Sequence, residues 1–269
     1  MKKIFICALV ILINTGFLYS QDINKNFKWP ENKKAAVCLT FDDGQDSHLD
    51  NAIPLLDRFN MKATFYCPGN KEAVHNRISE WKKIVENGHE LGNHSLFHPC
   101  DGKLFDWVRP EYDLNNYSLE QIRMELYTAN TLFKAIDGKT DRTYGYPCSN
   151  FKVQGDTTYV EVVKELFSAA RSDGPIPNNM ENIDTNFMPS WCVENHTGKE
   201  LIAYVIDAKE KGTIATFMFH SVGGGYLNVS NEALQELLVY LKENEQDYWV
   251  DTFFNVTKYI SSQDIVTTE

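Results

Sequence analysis

The sequence predicts an α/β fold built on a mostly parallel sheet or barrel, and three observations carry that expectation. Short apolar runs alternate along the chain with segments whose apolar residues recur at helical spacing. Right-handed β/α crossovers make the strands of such a series neighbours in one parallel sheet. Acidic and imidazole side chains fall just after three of the runs, at the strand ends where barrel folds gather their chemistry. Periodicity alone leaves open whether the sheet closes.

Residues 35–41 are apolar almost throughout and read as a buried strand, followed by a helix over 49–59 and a second strand over 63–67. Ile78, Trp81, Ile84 and Val85 share one face of a helix over 78–86, and Gly88 is placed to stop it. A strand returns over 89–94. Ser118 and Gln121 have the spacing of a capping box, opening a helix whose apolar residues Ile122, Leu126, Leu132 and Phe133 run on to Gly138. Further strands are expected over 143–146, 168–171, 187–193 and 213–219, interleaved with helices over 159–166, 201–211 and 232–243.

Lys2, Lys3, the apolar run from Ile4 to Ile13 and the polar exit Tyr19-Ser20-Gln21 read as a secretory signal peptide over 1–20. The run is shorter than the roughly 20 residues of a membrane span, so export to the periplasm or exterior is expected, with no membrane span after cleavage. Loss of Lys2 and Lys3 takes the formal net charge from -11 to -13. That balance disfavours nucleic acid and anionic membrane surfaces as partners and suits a neutral polymer. No linker, repeat or charge block divides the rest, so one domain is expected over 29–262. The remaining cysteines, Cys38, Cys67, Cys100, Cys148 and Cys192, are odd in number, which leaves at least one free thiol. Cys38 and Cys67 read as small core residues; the pairing of the other three is open.

Three stretches carry chemistry. Thr40-Phe41-Asp42-Asp43-Gly44 ends a strand with adjacent carboxylates. His94-Ser95-Leu96-Phe97-His98 spaces two imidazoles four residues apart, which on a helical turn sets both rings on one face to ligate one cation. Thr216-Phe217-Met218-Phe219-His220 ends another strand with an imidazole, a group whose ordinary pKa of roughly 6.5 suits proton donation near neutrality. One carboxylate and two imidazoles hold a divalent ion with positions left open, and the second carboxylate remains as a base, so hydrolytic chemistry is expected. Zinc is the first expectation for the ion, with cobalt, nickel or manganese also compatible. No H-E-x-x-H is present, which argues against a zinc peptidase. His48, His75, His89 and His196 read as surface or structural. Trp107, Tyr112 and Tyr117 lie in a long irregular stretch, where aromatics either stack on sugars or pack against the barrel rim.

The T-F-D-D-G and H-S-x-x-H-P stretches resemble the first two motifs of the polysaccharide deacetylases, the NodB-type family-4 carbohydrate esterases, and the strand ending in His220 resembles the last. The likeness runs from about Trp29 to about Ile260. It implies a distorted, incomplete (β/α) barrel with Asp43, His94 and His98 as metal ligands, Asp42 as general base and His220 as the acid for the leaving group. The implied partner is an acetylated oligo- or polysaccharide. The N-acetyl amide of a glucosamine-type polymer is favoured, and an O-acetyl ester such as acetylxylan is the other possibility. The third motif, normally R-P-P-Y/F-G, is matched best by Gly145-Tyr146-Pro147-Cys148-Ser149. The resemblance places Tyr146, Pro147, Cys148 and Trp191 at the substrate, with the Cys148 N–H as an oxyanion donor. Glycine at the arginine position leaves Asp42 without its usual partner, unless Arg142 replaces it. The fourth motif has Ser190 where an aspartate usually precedes the tryptophan, here Trp191, leaving only the distant Asp207 to orient His220. These departures give the alternative of a catalytically impaired carbohydrate-binding domain that keeps the fold and metal.

Overall fold

The computed structural model describes residues 27–264; the expected signal peptide at 1–20 lies outside them. In chain order the strands are β1 (Ala35–Asp42), β2 (Thr64–Cys67), β3 (Glu90–Asn93), β4 (Tyr144–Gly145), β5 (Lys152–Val153), β6 (Thr157–Thr158), β7 (Ala170–Arg171), β8 (Trp191–Cys192), β9 (Ile214–Phe219) and β10 (Tyr248–Val250). The α-helices are α1 (Ile53–Arg58), α2 (Glu72–Asn76), α3 (Ile78–Glu86), α4 (Leu119–Asp137), α5 (Val160–Leu166), α6 (Gly198–Lys211), α7 (Asn231–Glu243) and α8 (Phe253–Asp264). The segments marked by the sequence are present with shifted ends, and α2, β10, α8 and the β5–β6 hairpin add to them. Ser118 caps α4 by accepting from the Gln121 N–H, and Gly138 ends it at φ 75°, a left-handed conformation that glycine adopts without steric cost.

The main sheet runs β7-β4-β3-β2-β1-β9-β8, with every pairing parallel. β1 is its centre: Ala36 to Phe41 pair with β9, Thr40 to Asp42 with β2, and Ala35 to Val37 with β10. The two ends of the path meet through the segment before β8, where Arg171 bridges Met188 and the Ser172 N–H donates to the Met188 carbonyl at 2.9 Å. The sheet therefore curls into a distorted barrel whose last seam is a bridge rather than a full ladder, in agreement with the expected incomplete barrel.

Strand alternation divides the side chains between two layers. Val37, Leu39 and Phe41 join Phe65, Leu91 and Phe217 in the core between sheet and helices. Ala36 and Cys38 face the other way, into the barrel, with Tyr66, Met188 and Phe253. Asp42 continues this inward set at the carboxyl end of β1. Arg171 follows Ala170, which belongs to an outer cluster, and so points inward as well. At the opposite end of the barrel, the buried Glu90 accepts from the Phe254 N–H at 2.9 Å and from the Thr64 hydroxyl, fixing the start of α8 beneath the sheet.

Candidate metal centre and catalytic site

In a continuing strand the carboxylates of Asp42 and Asp43 would point to opposite faces. Instead Asp43 turns to φ 77°, held by its N–H on the Tyr66 carbonyl at 3.0 Å. A non-glycine residue in this region carries a strain on the order of 1 kcal/mol or more, repaid here by bringing both carboxylates to one imidazole. His94 Nε2 lies 3.8 Å from Asp42 Oδ2 and 3.6 Å from Asp43 Oδ1. His98 Nε2 lies 3.2 Å from the same Asp43 oxygen.

The two imidazoles do not sit on a helical turn. Ser95 at φ 65° and His98 at φ 56° make the segment a loop. Its N–H groups bond to nearby side chains rather than to a helix ladder: Ser95 N–H to Asn93 Oδ1 at 2.7 Å, and His98 N–H to Ser95 Oγ at 2.8 Å. The rings still converge, with centroids 4.8 Å apart. His94 Nδ1 donates to the Gly145 carbonyl at 2.7 Å, which leaves the Nε2 lone pair facing the carboxylates.

One ligand atom from each of Asp43, His94 and His98 lies within 4.8 Å of the others. Asp43 Oδ1 is buried without a hydrogen-bond partner among the described residues, although it faces two imidazoles. An orphaned oxygen and two nitrogens around one point fit a divalent cation. Burial favours a protonated Asp43, but the close approach of His98, together with His94 and His220, outweighs it and holds this carboxyl well below its usual range. Burial pushes His94 down to about 4, so its ring is neutral and able to ligate at physiological pH.

Asp42 has a partner that the sequence did not mark. Arg171 Nη2 donates to Asp42 Oδ2 at 2.5 Å, both side chains being buried, and Arg171 Nη1 donates to Ser190 Oγ at 3.1 Å. Ser190 Oγ in turn donates to the Ser172 carbonyl at 2.6 Å. The arginine lies over the Tyr66 ring, 5.0 Å from the centroid. Arg142 is not a substitute: it bonds Asp137 at 3.1 Å and the carbonyls of Leu91 and Lys139. The expectation that the missing arginine leaves Asp42 unsupported is thus corrected. Asp42 Oδ1 is buried and unpartnered among the described residues, free for another donor.

His220 follows β9, and its carbonyl accepts from His48 Nε2 at 2.7 Å, while His48 Nδ1 accepts from the Gln45 N–H at 3.2 Å. His48 is therefore a buried structural histidine. No described group holds the Nδ1 of His220. Asp207 does not, since it pairs with Lys211 on α6 at 2.8 Å. Burial lowers the His220 pKa below the ordinary histidine value, against the raising effect of Asp42 and Asp43.

Cys148 is disulfide-bonded to Cys100, joining the loop after His98 to the third-motif segment, while Cys38, Cys67 and Cys192 are free. The sulfurs lie within 4.8 Å of a His98 ring nitrogen, but as a disulfide they offer no thiolate to a metal. Tyr146 is not part of the cleft surface: it is buried, packed 5.0 Å from Tyr144 and 5.4 Å from Phe187. Pro147 is buried too. Trp191 is half-buried against His196 and Tyr204. A cleft of about 640 Å³ opens beside Asp43 and His98, walled by Phe97, Trp107, Tyr112 and Tyr226, with Lys71 and Arg109 at its edge. Tyr117, by contrast, is a core residue. Tyr226 donates from its hydroxyl to Asp43 Oδ2 at 2.7 Å.

Residues 30–166 match the family model described as Polysaccharide deacetylase. The chain belongs to the polysaccharide deacetylase family. Over 85% of its length it is 26% identical to a peptidoglycan-N-acetylglucosamine deacetylase of Bacillus cereus, covering 70% of that protein. It also resembles, at 38% identity over 28% of its length, the uncharacterized protein YlxY of Bacillus subtilis. It spans only 24% of that relative and 10% of a gellan lyase from Bacillus sp that it also matches. A family 4 acetyl xylan esterase from Clostridium thermocellum, solved with a cobalt ion, shares the fold at a TM-score of 0.54 and 23% identity, over 83% of this chain and 91% of that one. Against the family pattern, the arginine beside the first aspartate comes from β7 rather than from the third motif, and Ser190 of the fourth motif serves that arginine. Sequence reasoning missed Arg171 and Tyr226. An arginine ending a strand-like run was the signal available for the first; nothing local marked the second.

Proposed function

We propose that this polysaccharide deacetylase is an exported, divalent-metal-dependent hydrolase that removes acetyl groups from a carbohydrate polymer. The N-acetyl amide of a glucosamine-type chain is its first substrate class and an O-acetyl ester its second. The observation that carries the reading is the convergence of Asp43, His94 and His98 within 4.8 Å, beside an Asp42 held by Arg171. The aromatic cleft supports a sugar ligand, since flat rings stack on apolar sugar faces. The Bacillus cereus relative supports an amide substrate. Export is supported by the Cys100–Cys148 disulfide, a bond that persists in oxidising compartments. No helix among the described residues is long and apolar enough to cross a membrane.

A divalent ion held by Asp43, His94 and His98, zinc first for this donor set, would supply Lewis acidity toward the acetyl carbonyl and acidify a bound water. Asp42 is the base: Arg171 occupies Oδ2, so Oδ1 is the oxygen that accepts the water's proton. His220, at the end of β9 on the same rim, delivers a proton to the departing nitrogen or oxygen. The Cys148 N–H is the oxyanion donor in this reading, and the Cys100–Cys148 disulfide ties its segment to the loop after His98. The impaired-binder alternative draws on the glycine at 145 and on the unpartnered His220 Nδ1. Arg171 removes the first of these grounds.

Acetate release from N-acetylglucosamine oligomers, peptidoglycan and acetylxylan tests the reading, with the bound divalent ion measured in parallel. His98→Ala is expected to abolish both metal retention and release, because two protein ligands bind too weakly for catalysis. Retained sugar affinity with no acetate from any substrate would establish the binding domain instead.

A further inference from the structure

We infer that the Tyr226 hydroxyl is a positioning group for the Asp43 carboxylate, fixing it to present Oδ1 alone to the metal. The inference rests on the reading of Asp43, His94 and His98 as ligands. The two carboxylate oxygens have divided surroundings. Oδ1 faces His94 Nε2 at 3.6 Å and His98 Nε2 at 3.2 Å, without a hydrogen-bond partner. Oδ2 accepts from the Tyr226 phenol at 2.7 Å. A carboxylate free at both oxygens can swing between one- and two-oxygen coordination, and the second mode consumes a position that water or substrate needs. A phenol on the outer oxygen opposes that swing, as the Gly145 carbonyl opposes rotation of His94.

The placement of Tyr226 is built into its loop. Gly223, Gly224 and Gly225 take φ of 76°, 136° and 109°, a run of positive values open to glycine and to few other residues. The loop is tied down by Ser221 Oγ donating to Gln45 Oε1 at 2.7 Å and by the Gly224 N–H on Asn228 Oδ1 at 2.7 Å. The Tyr226 ring also stands edge-on to His220, 5.3 Å between centroids, so one side chain touches both the ligand and the proposed acid. The rival role is that of a sugar platform only, because Tyr226 is 55% exposed and lines the cleft.

The two roles separate by measurement on the full chain carrying Tyr226→Phe, which keeps the ring and deletes the hydroxyl. Metal-free protein would be titrated with Zn²⁺ and Co²⁺ against a chromophoric chelator, and the visible spectrum of the Co²⁺ form recorded. The expected result is a metal Kd raised roughly 10- to 100-fold, an altered Co²⁺ band and an unchanged melting temperature of the metal-free protein. A Kd within about twofold of wild type with an identical Co²⁺ band, whatever happens to KM, overturns the inference while leaving the ligand reading intact. Wild-type protein that retains no ion, or retains it equally in His98→Ala, overturns both.

Discussion

A Cβ at position 145 would meet Arg171 Nη2 at 2.8 Å, the Tyr66 ring at 3.0 Å and His94 Nδ1 at 3.2 Å. The glycine is therefore the space in which Arg171 lies, and the two positions have exchanged a side chain across neighbouring strands. Arg171→Met should lower kcat by about 100-fold or more at full metal occupancy, since Asp42, the proposed base, loses its fixed position. Stability should fall by about 3–5 kcal/mol, because a buried carboxylate is left unpaired. Gly145→Arg alone should crowd the site and inactivate it, whereas Gly145→Arg with Arg171→Ala should recover part of kcat. A wild-type kcat in Arg171→Met would remove the arginine from this role. The convergence of Asp42, Asp43, His94 and His98 was legible because they stand as adjacent or closely spaced letters. Arg171 was not, because its partner is decided by the register of β7 against β4, which sequence spacing does not encode. Tyr226 was hidden for a different reason: its loop has no hydrophobic period to read.

Between residues and the whole molecule stand the connections that hold strand ends in place, and His48 is one of them. It opens the π-helical segment His48–Ala52 between β1 and α1, accepts from the Gln45 N–H and donates to the carbonyl that follows β9. Burial pushes its pKa down to about 4, so the folded protein keeps it neutral. An unfolded chain protonates it near pH 6.5, so as pH falls from about 6.5 to about 4 the unfolded state gains protons first and stability is lost, on the order of 3 kcal/mol from this group. Above pH 6.5 the group contributes no slope. His48→Gln should flatten the decline of urea stability across that window in chelator-treated protein, and an unchanged slope would mean that other histidines carry it. At this scale the sequence was clear for helices, whose apolar faces and caps are local, and less clear for β4, β7 and β8. Those strands have two residues each, fixed by their neighbours rather than by any run of their own. The His94–His98 segment shows the same limit, since four-residue spacing suits a helical turn and the side chains of Asn93 and Ser95 drew its backbone into a loop.

The barrel as a whole is lopsided. β1 and β9 share an unbroken ladder of six register pairs, while β3 meets β4 through one pair and β7 meets the segment before β8 through one bridge. Asp42 stands on the thick side and Arg171 on the thin side, joined across the interior. Local opening draws on the regions with fewest pairings, so the thin wall should yield before the thick one. In rising urea, acetate release should then disappear at a lower concentration than far-UV circular dichroism, and coincident midpoints would show that the walls open together. The same asymmetry bears on how such a protein ages. Strand pairings deep in the β1–β9 ladder would keep the molecule compact and outwardly intact after the thin wall has slackened. A preparation can therefore lose its working fraction while sedimenting, staining and scattering light as native protein.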